Sequence, residues 1–172
     1  QHERELEAVA SVSAALRTAV TRNEMVPAIL TELLALFSAG GAAFDHLDQA
    51  AGATTIELGV GVFAPCTGMS LPAGAGISGE ILETGAPFLT NDVANEPRAL
   101  FTDLLGEMRS LAGVPLVADN RITGILWLAS RYELTAHDIK ILVAIADIAA
   151  NAIRRAALYG HTQVQAEEMA LI

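Results

Sequence analysis

The stretch from Gly74 to Pro87, reading Gly-Ala-Gly-Ile-Ser-Gly-Glu-Ile-Leu-Glu-Thr-Gly-Ala-Pro, constrains the fold of this chain more than any other. Gly74 and Gly76 open turn conformations closed to other residues, and Ser78 is placed to cap a helix. Gly85 is placed to end that helix and Pro87 to begin an extended segment. The spacing therefore predicts a strand exit, a short helix and a second strand in one unit. Glycines ahead of a helix also build phosphate cradles, but no Lys-Ser or Lys-Thr pair follows and no dinucleotide fingerprint fits. A nucleotide loop is not expected.

Around this unit lie strand-like runs at Ala42 to Leu47, Thr54 to Val62, Met69 to Leu71, Phe88 to Thr90, Leu111 to Val117 and Ile122 to Ala129. In the last, Ile122, Gly124, Leu126, Leu128 and Ser130 share one face, with Thr123, Ile125, Trp127 and Ala129 on the other. Both faces are largely apolar, which predicts a central strand. Asp119-Asn120 supplies the turn of a hairpin from Leu111 to Ala129. Towards the N-terminus, Leu6, Val9, Ser13, Leu16 and Val20 follow a three-four spacing, the seam of a coiled coil or bundle with little to cover inside a monomer. A second helix is expected to be capped by Asn23, to tolerate Pro27 in its first turn and to end at Gly40-Gly41; Ile29, Leu30, Leu33, Leu34 and Phe37 give its apolar face.

Thr135 and Asp138 make a capping-box-like start to a last helix. Its stripe of Ile139, Leu142, Ala146, Ala149, Ile153 and Ala156 is flanked by Ile141, Ile145 and Ile148, wide enough to cover a sheet and meet a partner. Unbroken from Thr135 to Ile172, the helix would reach about 57 Å at 1.5 Å per residue, with Gly160 the place to fray.

The 172 residues suffice for one domain and one core, and 52% of them are apolar. Lys140, Asp147 and Asn151 interrupt the longest apolar stretch, so no membrane insertion is expected. A net charge of −10 opposes binding to nucleic acid or anionic membranes. The single cysteine, Cys66, fits a reducing, cytoplasmic compartment. With no initiator Met and no basic leader at Gln1, the sequence reads as a segment of a longer protein.

Three further segments join the glycine run in a fixed order: Asn91-Asp92-Val93, Val114-Pro115-Leu116 after Ser110, and the helix opening at Leu134-Thr135. Between the last two lies Gly124-Ile125-Leu126-Trp127-Leu128-Ala129-Ser130. Over residues 24–156 the ordered set resembles a GAF domain, with Gly124 to Ser130 similar to the family's penultimate Gly-x-Leu-x-Leu strand. The resemblance implies an α+β fold of the GAF/PAS type. Its central, mostly antiparallel sheet of five or six strands would carry the N- and C-terminal helices on one face, with loops and short helices on the other. It also implies a small-molecule sensing and dimerisation module that regulates an output domain, such as a sensor histidine kinase or a cyclic-dinucleotide enzyme. The expected division is a dimerisation helix over residues 1–22, a sensor domain over 23–157 and a connector over 158–172.

In GAF domains the region corresponding to Asn91 to Arg109 covers the ligand pocket. The candidate ligand-binding residues are Phe63, Met69, Asn91, Asp92, Arg98, Phe101, Met108, Arg109 and Trp127. Arg98 and Arg109 suit an anionic group, and Asn91 and Asp92 a ring edge. The alternative is that Asp92 caps the loop and the arginines pair with neighbouring acids. Phe63, Met69, Phe101 and Trp127 would equally fill a closed cavity, leaving a ligand-free dimerising spacer. The homodimer is expected through the terminal helices, at Leu6, Val9, Leu16, Val20, Ala146, Ala149 and Ile153.

No cofactor is expected. His2, His46, His137 and His161 are dispersed and lack metal-ligand spacing; His46 alone lies in a strand, where it could face a pocket and ligate haem, but a solvent-facing or hydrogen-bonded strand histidine is the expected outcome. Bilin-carrying relatives commonly have His after the attachment cysteine, where Thr67 stands here. Methionine-sulfoxide reductases of this fold use several cysteines, and Cys66 has no resolving partner. The Asn-Lys-x-Phe-Asp-Glu signature of cyclic-nucleotide GAF domains has no counterpart. No nucleophile, base and orienter are grouped as catalysis requires, so a small redox enzyme is the least favoured reading.

Overall fold

Among the residues that the computed structural model describes, 2–100 and 102–170, six strands form one antiparallel sheet. They are β1 (Gly41–Asp48), β2 (Ala53–Gly61), β3 (Ser70–Pro72), β4 (Phe88–Thr90), β5 (Ser110–Ala118) and β6 (Arg121–Ser130), in the order β3-β2-β1-β6-β5-β4. β6 pairs with β1 on one side and β5 on the other, the central position its two apolar faces require. At the β5–β6 turn, Asp119 (φ 53°) and Asn120 (φ 60°) are both left-handed, which matches the strand twist in a two-residue hairpin.

The alternation of β6 divides the interior into two cores. Leu126 and Leu128 join Ala42, Phe44, Val114 and Leu116 beneath three helices: α1 (His2–Thr18), α2 (Arg22–Phe37) and α4 (Ala136–Ala170). Ile125, Trp127 and Ala129 join Ala43, Ile56, Phe63 and Leu111 on the opposite face. That face is covered by α3 (Gly76–Thr84) and the connection from Asn91 to Arg109. This is the expected α+β architecture.

The helix at α1 departs from its expected seam. Ala8, Val12, Leu16 and Ala19 are buried against α2 and α4 of the same chain, whereas Leu6 and Val20 are 56% and 63% exposed and Val9 is half-buried. The seam therefore has a partner within the protomer. On α4, Ala146, Ala149 and Ile153 are likewise core residues. An interface through Leu16, Ala146, Ala149 and Ile153 as exposed residues is thus corrected: their own sheet and helices already cover them.

Local caps also differ from expectation. α2 is capped by Thr21, whose Oγ1 accepts from Glu24 N at 3.3 Å while the Glu24 carboxylate accepts from Thr21 Oγ1 at 3.1 Å and Val20 N at 3.4 Å. A Thr and a Glu three apart satisfy the helix start reciprocally, which Asn23, already inside the helix, cannot do. Pro27 consequently falls beyond the first turn. The helix ends at Ser38 (φ 47°) rather than at the glycines; a side chain at Gly40 would meet Met108 Sδ at 2.5 Å. In α3, Ala75 is the N-cap and Ser78 is buried within the first turn, while Gly85 (φ 69°) ends the helix as expected. The box at α4 forms in full: Asp138 Oδ2 accepts from Thr135 N at 2.8 Å and Thr135 Oγ1 from Asp138 N at 3.1 Å. From there α4 runs 35 residues and passes through Gly160 without a break.

Candidate functional site

Beneath the Asn91 to Arg109 connection the sheet encloses a cavity of about 60 Å³. Its walls are Ala43 of β1, Ile56 of β2, Phe63, Leu111 of β5 and Trp127 of β6, with Ile77 and Ser78 of α3 and Arg98 to Leu100 closing it from above. Val93, Leu105 and Met108 are buried and dock that lid onto the sheet. Backbone bonds from Val93 N to Arg109 O (3.0 Å) and from Arg109 N to Ser130 O (2.8 Å) tie its two ends to each other and to β6.

One residue that the sequence reading passed over dominates the cavity's electrostatics. Asp45 lines it from β1 and is 3% exposed. Its Oδ2 accepts from Trp127 Nε1 at 3.2 Å, and its Oδ1 has no hydrogen-bond partner. Burial pushes its pKa up to about 6 from an ordinary 3.8, against the opposing hydrogen bond of Trp127 and the nearby Thr54 hydroxyl. The signal was an acid in an apolar strand at the same inward parity as Ala43.

Of the candidate ligand-binding residues, Phe63, Arg98 and Trp127 line the cavity. Arg98 follows the alternative reading, pairing with neighbouring acids instead of standing open to an anion: its Nη1 lies 2.6 Å from Glu80 Oε2, its Nε lies 2.8 Å from Glu96 Oε1, and its guanidinium stacks 5.3 Å from the Phe88 ring centroid. The hydrogen bond from Arg98 holds the Glu96 carboxyl below the usual carboxylate range. Arg109 is exposed at the far end of the lid, 3.4 Å from Glu133, so the two arginines do not converge.

Asn91 is a fastener instead of a ring reader. Its Nδ2 donates to Leu134 O at 3.0 Å and its Oδ1 accepts from Leu134 N at 2.9 Å. Both polar ends of the amide are thereby engaged at the threshold of α4. Asp92 is exposed and accepts from Asn95 Nδ2 at 3.0 and 3.1 Å, the loop-capping alternative. Met69 is 41% exposed and Met108 packs toward Gly40, so neither lines the cavity. Phe101 lies outside the described residues.

The histidine and cysteine alternatives fall elsewhere in the fold. His46 lies away from this cavity, on the helical side, with Nδ1 3.3 Å from Arg22 Nη2. Cys66 is fully buried, and burial pushes its thiol up, away from the reactive thiolate. Among the described residues no three of His, Cys, Asp or Glu are grouped to hold a metal ion, and no helix is long and apolar enough to cross a membrane.

Compared with known families, residues 19–154 match the model of the GAF domain. The chain belongs to the GAF domain family. GAF domains are sensory and signalling modules of multidomain proteins, and the lid-covered face is where this one encloses its cavity. The GAF domain of a phosphoenolpyruvate-protein phosphotransferase from Coxiella burnetii superposes with a TM-score of 0.82 at 18% identity, over 92% of this chain and 98% of that one. A free methionine-R-sulfoxide reductase from Neisseria meningitidis, solved with its substrate, gives 0.78 at 18% identity over 90% and 91%. A GAF domain/HD domain protein from Geobacter sulfurreducens gives 0.70 at 16% identity over 83% and 98%. At such identities the likeness speaks for the GAF fold alone. No curated protein sequence matches this GAF domain.

Proposed function

We propose that this GAF domain is a non-catalytic ligand-sensing module that regulates an output domain through α4. The observation that carries this reading is the fastening of the lid to the start of α4. Asn91, the first residue of the lid, holds both backbone groups of Leu134, one residue before the box that opens the helix. A small molecule that resets the lid would thereby bias the direction in which α4 leaves the sheet, provided that it binds two lid positions unequally. A homodimer through the terminal helices, an output such as a sensor histidine kinase or a cyclic-dinucleotide enzyme, and a cytoplasmic setting belong to the same proposal. Against catalysis by this segment stands the buried, raised thiol of Cys66, which would have neither the access nor the partner that thiol reduction chemistry needs.

The test is a fragment screen by NMR on the intact chain, followed by hydrogen exchange of α4 with each fragment that occupies the cavity. The expected result is altered protection in the first turns of α4, abolished by Asn91→Ala. If fragments fill the cavity and α4 protection is unchanged in the native chain, the transmission reading is lost.

A ligand-free dimerising spacer is the second reading, favoured by one feature. Phe63 and Trp127 leave about 60 Å³ in the cavity, well under the ~300 Å³ at which ordinary small-molecule sites begin. A screen in which no fragment enters would decide for it.

A further inference from the structure

Resting on the sensing reading above, we propose that the cavity receives a small, apolar-bodied organic cation, a protonated amine, whose nitrogen donates to the free Oδ1 of Asp45. The argument begins with what the carboxylate lacks. A buried carboxylate ordinarily has each oxygen partnered, and the loss of one partner leaves its desolvation uncompensated. Here Oδ2 has the Trp127 indole N–H and Oδ1 has nothing, in a residue that forms part of a cavity wall. The missing group is a donor, and a charged donor compensates an anion better than a neutral one.

The surroundings select against the other ligand classes. Among the described lining residues only Asp45 and Arg98 carry charge, and Ser78 is the one other polar side chain; Ala43, Ile56, Phe63, Leu71, Ile77 and Leu111 present hydrocarbon. An anion would meet the Asp45 carboxylate at the wall and find Arg98 already engaged by Glu80 and Glu96. That rim cluster has one positive and two negative charges, so the entrance favours cations as well. An apolar body matches the walls, and the volume of about 60 Å³ keeps that body to a few carbons.

Charge facing Asp45 from the other packed elements is confined to Arg98 on the lid, with Glu80 on α3 and Glu96 behind it; the lining residues from β2, β5 and β6 are uncharged. Amine affinity should therefore follow the ionisation of Asp45. Above about pH 6 the carboxylate is available; below it, proton and amine compete, and affinity falls about tenfold per pH unit.

The experiment uses the intact chain and the fluorescence of Trp127, its only tryptophan, together with backbone amide NMR. The probes are isobutylamine, isobutanol and isobutyrate, matched in body and differing in head group. The expected result is that isobutylamine binds about ten- to a hundredfold more tightly than isobutanol at pH 7.5, the range of a charge-assisted hydrogen bond, with isobutyrate weakest. Asp45→Asn should abolish the preference while its amide spectrum stays dispersed. The probe comparison and the pH series on the unaltered protein need no variant, so a poorly folding Asp45→Asn does not shield the assignment. Equal binding of amine and alcohol, preference for isobutyrate, or an amine preference that survives Asp45→Asn overturns it and leaves a sensing cavity of another chemistry. If none of the three probes perturbs the cavity resonances and the fragment screen also finds no occupant, the amine assignment and the sensing reading fall together.

Discussion

Asp45 stands where a strand facing a core would ordinarily carry an aliphatic side chain, and its consequence for stability has a definite sign. Its folded pKa of about 6 lies above the ordinary 3.8, so the folded state holds the proton more tightly than the unfolded state. Stability tied to Asp45 is therefore greatest below the ordinary value and is lost as pH rises through the folded one. Asp45→Asn removes that penalty while keeping an acceptor for the Trp127 N–H. We expect thermal unfolding at pH 7 to show a gain of order 1–3 kcal/mol over the native chain, shrinking to nothing near pH 4. A gain independent of pH would contradict the burial of this charge. At this scale the sequence was a partial guide. Trp127 could be placed at the cavity because strand parity assigns its face, and Phe63 because a large apolar side chain just past the end of β2 has to be buried. Arg98 could be placed there too, and its pairing with a neighbouring acid, Glu96, was one of the two readings; its second partner, Glu80, reaches it only after α3 has packed beside the lid.

At the level of elements, α4 shows how local chemistry and tertiary contact meet in one residue. Asp138 closes the capping box with Thr135 and reaches across to Arg4 of α1, with Oδ1 2.6 Å from Nη1. Burial alone would raise its pKa, but the hydrogen bonds from Thr135 and Arg4 outweigh burial and lower it. The stabilisation it confers is therefore present above the ordinary carboxylate range and lost as pH falls through the lowered value. Asp138→Ala is expected to cost about 1–2 kcal/mol, the worth of a lost cap, in chemical denaturation at pH 7. Hydrogen exchange should show α1 opening more readily as well, and an unchanged α1 would mean that the Arg4 contact contributes nothing. The box was readable from two residues three apart, as was the Asp119-Asn120 turn. The tie to α1 was not, because Arg4 and Asp138 are brought together by the packing of chain ends that no local pattern relates.

For the whole molecule, the placement of the apolar stripes decides which surfaces remain for a partner. Ile153 is 6% exposed beneath the helices, so Ile153→Glu is expected to destabilise the fold by about 3 kcal/mol or more, a charge having no partner there. Val20, 63% exposed, is the better probe of the proposed homodimer. Val20→Glu together with Leu6→Glu should leave the melting temperature within a degree or two and shift sedimentation from dimer towards monomer. A dimer unaffected by both would place the interface away from α1. The sequence by itself determined the order of elements, the two faces of β6, the hairpin turn and the box of α4, because strand parity, left-handed turn residues and caps act over a few bonds. Only the tertiary structure decided that α1 covers its own chain, that Asn91 fastens the lid to α4 and that Asp45, in a cavity wall, is left with one buried oxygen unpartnered. Each of these depends on which groups meet across tens of residues, and so on how two faces of one sheet are closed.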